Sequence, residues 1–437
     1  MTAIAPLLST HLNAQTLVSW EELNPVLQAQ IRSATDSDEG VECVAYPQTQ
    51  DELATILQVA YANRWRILPL GTGSKLQWGG LAPSVDLAVS TAGLTRVVDH
   101  AVGDLTVTAE AGLAIATLHQ TLTPHRQWLP ISPTYPQSTL GGLVATADAG
   151  ALRQRYGGIR DLLIGITMVR YDGQVAHAGG RVVKNVAGYD LMKLLTGSFG
   201  TLGIISEVTF RLYPVPESSE TVVLTGTVAA IAQTLQTLRA SALTPTAIDL
   251  LATETVQALN LGQGMGLMVR FQTTPVSIQQ QATQLIDWAA QAGLTGDRLS
   301  GEPETHLWHQ LQEQLIGTPS LSAIACKIGV LPAVSAIALD KLSHCLGSLD
   351  AGVIHAGSGL GMVRCGAIGE SGQRLRAARE ICEAHGGFLT VLDAPKSLKQ
   401  AIDVWGYSGN ALDAMRRLKQ RFDPHSLLSP NRFIAGL

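Results

Sequence analysis

The chain has 437 residues, 15% of them charged and 46% hydrophobic, with a formal net charge of -5. This length supports two or three domains with ordinary cores, and the sparse charge excludes a disordered chain. With no basic run interleaved with aromatics, the acidic balance excludes a general attraction for DNA or RNA. The five cysteines, Cys43, Cys326, Cys345, Cys365 and Cys382, are scattered and lack the close spacings that hold zinc or an iron–sulfur cluster, so no metal site is expected. No run approaches the roughly 18 apolar residues that span a bilayer, and the N-terminus shows no basic region before an apolar core. A cytoplasmic protein is expected, touching a membrane only through partners.

In chain order, Thr49-Gln50-Asp51-Glu52 has the form of a capping box, and Leu53, Ile56, Leu57 and Ala60 then recur at helical spacing, predicting a helix to about Asn63. Arg66 to Leu70 reads as a buried strand entering the turn Gly71-Thr72-Gly73-Ser74. Alternation at Val85, Leu87 and Val89, and again at Leu105, Val107 and Ala109, predicts further strands. Ser138 to Gly150 is a run of small residues, read as a helix that another backbone or a flat ligand can approach closely. Ile164 to Tyr171 turns at Asp172-Gly173 into Gln174 to His177, a hairpin. Ile204 to Leu212 alternates as a strand and stops at Tyr213-Pro214-Val215-Pro216, where a domain boundary is expected. Beyond it, strands such as Val222 to Thr225 and Ile248 to Leu251 alternate with amphipathic helices such as Val228 to Leu238, a strand–helix motif used twice over. The segment after Leu412 is rich in turns, has no core of its own and must pack on something else.

A dinucleotide requires its phosphate charges to be met by converging backbone N–H groups, which glycine turns allow. Gly71-Thr72-Gly73-Ser74 after a strand can do this, and Ser138-Thr139-Leu140-Gly141-Gly142 opens a helix whose N-terminus carries partial positive charge. Leu76 stands where a third glycine of G-x-G-x-x-G would be, and Gly73-Ser74-Lys75 fails the P-loop spacing, so a Rossmann NAD enzyme or P-loop NTPase is disfavoured. Taken singly, either glycine turn is also compatible with a tight loop that binds nothing.

Pro69 to Ser74, Ser132-Pro133-Thr134 through Thr139 to Gly142, Gly150, Arg155-Tyr156-Gly157, Lys184 to Leu191 and Gly197 to Ile205 follow in order over residues 45 to 216. Together they resemble the FAD-binding domain of the vanillyl-alcohol-oxidase or p-cresol-methylhydroxylase (PCMH) type. Within that family the chain is similar to the FAD-binding E subunit of glycolate oxidase (glycolate dehydrogenase), helped by Asp403-Val404-Trp405-Gly406 and Phe422-Asp423-Pro424 to Arg432-Phe433. The resemblance implies an α+β protein. A lead-in covers 1–40, a two-subdomain PCMH-type FAD-binding domain 41–216, and an α+β cap with an antiparallel sheet 217–411. A C-terminal segment, 412–437, packs back on the FAD domain. It further implies FAD contacts at Pro69, Leu70, Gly71, Thr72, Gly73, Ser74, Lys75, Pro133, Ser138, Thr139, Gly141, Gly142, Ala145, Gly150, Tyr156, Gly157, Gly203, Ile204 and Ile205. Covalently tethering relatives carry a histidine in the first loop or a cysteine near the second; neither is present, so the FAD is expected to be non-covalent.

The resemblance implies oxidation of a small 2-hydroxy acid such as glycolate, with electrons passing toward an iron–sulfur subunit beside a catalytic flavoprotein subunit. The chemistry needs a base for the hydroxyl proton and a cation for the carboxylate, while the flavin accepts hydride. Catalytic relatives carry a motif of two histidines around Gly-Asp-Gly-Asn, but here Ile354-His355-Ala356-Gly357-Ser358-Gly359 lacks the acid and the second histidine. His355 and Arg364 are the candidates for base and anchor, set against a structural histidine and a chain that only binds FAD and assembles. A self-sufficient oxidase of another alcohol or hydroxy acid is the remaining alternative. Lys184 and Arg432 are further cations that can approach the flavin or substrate. His306 and His309, three apart on one helix, have no third ligand in view, so a polar helix face is expected there.

Overall fold

The computed structural model describes residues 4–12, 16–180, 189–317, 323–366 and 371–437. The chain divides into two compact units, one of residues 1–149, 158–214 and 407–437, the other of 150–157 and 215–406.

The first unit holds two main sheets. In the smaller, the strands run in the order Leu17–Ser19, Cys43–Ala45, Leu87–Ser90, Ile67–Leu70, the last three mutually parallel. The helix Gln50–Asn63 covers this sheet with Leu53, Ile56, Leu57 and Ala60, all fully buried. Thr49 Oγ1 accepts the Glu52 N–H at 3.1 Å, as the capping pattern requires, whereas the Glu52 carboxylate takes the Gln48 N–H at 2.7 Å. The larger sheet is antiparallel, in the order Val97–Ala101, Thr106–Glu110, Ile204–Arg211, Leu163–Val169, Val175–Gly179. The expected hairpin is its last pair, with Gly173 supplying the positive φ of 81° its turn needs. The tail returns to this unit: Ile67 N–H donates to Leu427 O at 2.7 Å and Ser429 N–H to Ile67 O at 2.9 Å, extending the smaller sheet past Ile67–Leu70.

The second unit is built on one eight-stranded antiparallel sheet. Its order is Thr295–Ser300, Ser218–Gly226, Met265–Thr273, Ala247–Leu251, Ala351–His355, Leu360–Gly366, Ala323–Gly329, Phe388–Asp393. In sequence this is a β-α-β-β-α-β motif used twice, and the two copies join through their second strands, Ala247–Leu251 and Ala351–His355. The helices Val228–Ala240, Pro275–Gln291, Ser335–Leu346 and Ser371–Ala384 share one core with alternate strand residues such as Val222, Leu250, Val269, Ile328 and Val363. Register places Arg270, Asp249, His355, Lys327 and Arg364 together on the opposite face of the sheet. Among the described residues, no helix is long and apolar enough to cross a membrane.

Candidate cofactor site

The strand Ile67–Leu70 runs directly into the turn Gly71 to Lys75. Ser90 Oγ and Thr91 Oγ1 donate to the carbonyls of Gly71 and Leu70, at 2.8 and 3.3 Å, fixing where the turn begins. Gly73 has φ 85°, a left-handed conformation that favours glycine. At Gly71 the need is space, because a Cβ there would lie 2.3 Å from Thr139 Oγ1. The first glycine turn therefore touches the start of the second cluster.

Thr139 caps the helix Leu140–Thr146, its Oγ1 accepting the Gly142 N–H at 3.2 Å. The small-residue run is not one helix to Gly150. It turns out at Ala147, where φ is 49°, and Asp148 is directed inward instead. The Asp148 carboxylate lies 2.8 Å from Lys75 Nζ and accepts the Thr134 N–H and Oγ1–H at 3.0 and 2.8 Å. Both charged side chains are almost wholly buried. Burial alone would raise the Asp148 carboxyl, but the adjacent ammonium and the Thr134 donors hold it below its ordinary value. Burial lowers the Lys75 ammonium, and Asp148 opposes that shift.

Pro69 to Lys75, Thr139, Gly141, Gly142, Ala145 and Gly203 to Ile205 line one cleft, together with Thr91, Phe199, Gly200 and Ser429. Of those last four, Phe199, Gly200 and Ser429 lie in stretches that carry the resemblance, whereas Thr91 carried no signal in the sequence. Ser138 lies beside the cap, buried, with its Oγ lacking any hydrogen-bond partner. Pro133 precedes Thr134 on the segment that binds Asp148. Gly150, Tyr156 and Gly157 belong to the second unit. Lys184 lies outside the described residues. Arg432 lines the cleft as well, so the lining has two cations, Lys75 and Arg432, and no carboxylate. A cleft lined by two glycine turns, with Arg432 as a cation that no carboxylate among the described residues pairs, fits an anionic cofactor such as a dinucleotide.

In the second unit, His355 Nδ1 lies 2.7 Å from Asp249 Oδ1, whose side chain is buried. Asp249 escaped the sequence reading because Ile248 to Leu251 reads only as a core strand. The strand register pairs Asp249 with His355, fixing the ring's orientation and tautomer. Arg364 sits on the same face but opposite Ala351, at the other end of the hairpin, about 13 Å along the strand from His355. The two candidates for base and anchor are thus not adjacent. His306 and His309 lie on the helix Glu302–Ile316, where His309 Nδ1 is 3.5 Å from Glu313.

Residues 41–179 match the family described as "FAD binding domain", and residues 405–433 match "FAD linked oxidases, C-terminal domain". The chain is 27% identical over 428 residues to the mitochondrial D-lactate dehydrogenase [cytochrome] of Arabidopsis thaliana, covering 90% of this chain and 73% of that protein. It is 36% identical over 125 residues to glycolate oxidase subunit GlcE of Escherichia coli, covering 28% of this chain and 36% of that protein. It spans between 31% and 48% of other curated relatives, among them further D-lactate dehydrogenases and a glycolate oxidase subunit of Bacillus subtilis. Its fold matches p-cresol methylhydroxylase with substrate bound at a TM-score of 0.74 and 14% identity, over 98% of this chain and 96% of that one. With its glycine-lined cleft in the matched region, the chain carries an FAD-binding domain and a C-terminal segment of the FAD-linked oxidase type, on a fold shared with p-cresol methylhydroxylase.

Proposed function

We propose that this protein oxidises a small 2-hydroxy acid, of the glycolate or D-lactate class, using non-covalent FAD held in the cleft between Gly71 and Ile205. The observation that carries the reading is the His355–Asp249 pair on the second unit's sheet. FAD, when bound, supplies the two-electron acceptor. With Nδ1 committed to Asp249, His355 takes the substrate hydroxyl proton at Nε2, and Asp249 stabilises the imidazolium that results. The substrate carboxylate is held by a cation of the same face, for which Arg364 and Arg270 are the candidates. Electrons leave toward an iron–sulfur subunit, in a complex that also holds a catalytic flavoprotein.

Anaerobic mixing of the purified protein with glycolate or D-lactate tests this reading, with bleaching of the flavin band expected. His355→Gln should slow that bleaching by about 10²–10⁴-fold, the usual worth of a general base, while the bound FAD is retained. Equal rates in the variant and the wild type would remove His355 from the chemistry. A second reading rests on Ala356-Gly357-Ser358-Gly359 standing where catalytic relatives have an acid and a second histidine. On that reading the chain holds FAD and assembles with a catalytic partner, and the flavin stays oxidised until the partner is added.

The FAD contacts themselves are tested by Gly71→Val. The branched side chain must displace Thr139 and break its cap, worth about 1 kcal/mol before any clash with the cofactor is counted. We expect flavin affinity to fall by about tenfold or more, with an unchanged circular dichroism spectrum. A variant that retains full flavin occupancy would show that the turn is not in contact with FAD.

A further inference from the structure

Arg432 is buried, yet no carboxylate among the described residues pairs with it. Its guanidinium donates instead to four carbonyls, those of Leu76 and Trp78 at 2.6 Å, Gly80 at 2.7 Å and Ala34 at 3.3 Å. Three of these carbonyls belong to the segment that directly continues the glycine turn. Burial lowers its pKa to about 10, so it remains cationic at neutral pH. Carbonyl dipoles solvate such a cation but do not neutralise it, and an uncompensated buried charge is costly. Arg432 is also one of the residues that line the cleft.

The approach of the tail is close and specific. A Cβ on Gly80 would meet Asn431 O at 2.4 Å, and Asn431 Nδ2 donates to Leu81 O at 2.7 Å. Upstream, the same tail adds to the edge of Ile67–Leu70, the strand that delivers the glycine turn. One short stretch from the far end of the chain thus grips the turn from both sides.

We propose that Arg432 is the counter-charge to the FAD diphosphate, so that docking of the C-terminal tail and binding of FAD are a single coupled equilibrium. This rests on the cleft being the FAD site. Each event strengthens the other by the same factor, because coupling between two binding events is reciprocal. Without FAD, the tail docks with the Arg432 charge met only by carbonyl dipoles; with it, that charge is satisfied and the tail is held.

The test compares FAD with riboflavin, which has the ring but no diphosphate, on wild-type apoprotein. Hydrogen exchange of residues 427–437 should slow by about tenfold or more with FAD, in line with a charged hydrogen-bonding partner gained, and by little with riboflavin. Inorganic pyrophosphate should give part of the same protection. Arg432→Gln should lose about tenfold in FAD affinity while changing riboflavin affinity by less than about twofold. Tail exchange that is indifferent to FAD, or equal losses for both ligands in the variant, would overturn the proposal. If Arg432→Gln does not fold, the wild-type exchange and pyrophosphate measurements decide alone. Wild-type protein that takes up no FAD at all would instead refute the FAD assignment of the cleft.

Discussion

Lys75→Met is expected to destabilise the FAD-binding unit by about 3–5 kcal/mol, because it leaves a buried carboxylate without its cation. The Asp148 side chain is only 5% exposed. Its remaining donors, the Thr134 N–H and hydroxyl, are dipoles that cannot replace an ammonium at 2.8 Å. Replacing both partners, as in Lys75→Met with Asp148→Leu, should recover most of the loss, since an apolar pair of similar volume removes the desolvation problem. Chemical denaturation of the two single variants and the double variant measures the coupling. A single-variant loss below about 1 kcal/mol would mean that the pair is hydrated and weak. The same pair sets an acid limit. The Asp148 carboxyl is held below its ordinary value of 3.8, so its stabilisation is complete above that pH and is lost as pH falls through the lower folded value. Stability should therefore be insensitive to Asp148 titration near neutrality and fall only in acid, and Asp148→Asn should flatten that part of the profile.

The second large effect concerns the tail. Asp423→Ala should cost about 3–5 kcal/mol and free the C-terminal segment to proteolysis. Lys419 Nζ is buried and donates to Asp423 Oδ2 at 2.6 Å, to Leu428 O at 2.8 Å and to Thr201 O at 2.9 Å. Asp423 in turn accepts the N–H groups of Leu427 and Leu428, at 3.1 and 2.8 Å. Removing the carboxylate strands a buried ammonium and two amides together. Leu427 and Leu428 are the residues that open the added edge of the sheet, so the loss should reach Ile67–Leu70 and the glycine turn it delivers. Protease cleavage after residue 420, followed by mass spectrometry, checks this. A tail as resistant as the wild type would show that the edge pairing holds it without the ion pair.

The elements were legible in the sequence wherever local chemistry decides them. Thr49 and Glu52 announce the helix that follows, and Asp172-Gly173 announces the hairpin, because capping and positive φ are properties of a few adjacent residues. The glycine turns were readable for the same reason. Contacts between distant residues were not. Lys75 finds Asp148 far along the chain, and Asp148 sits in a run of small residues that reads as a smooth helix until Ala147 ends it. Lys419 lies among Arg416, Arg417 and Arg421 on a helix that looks wholly solvated, yet it is 4% exposed. Asp249 is hidden in a strand of apolar residues, and only sheet register reveals His355 across from it. Segment 150–157 joins the second unit because its helix Arg153–Tyr156 packs on the strand Ala247–Leu251, a choice that nothing local encodes.

Flavin content of the purified protein tests the central claim most directly. One FAD per chain is expected, with a flavin absorbance band that leaves the protein and enters the supernatant when the chain is unfolded by acid or heat. Colourless protein that takes up no FAD on titration would contradict it, and flavin that stays with the precipitate would contradict the non-covalent attachment.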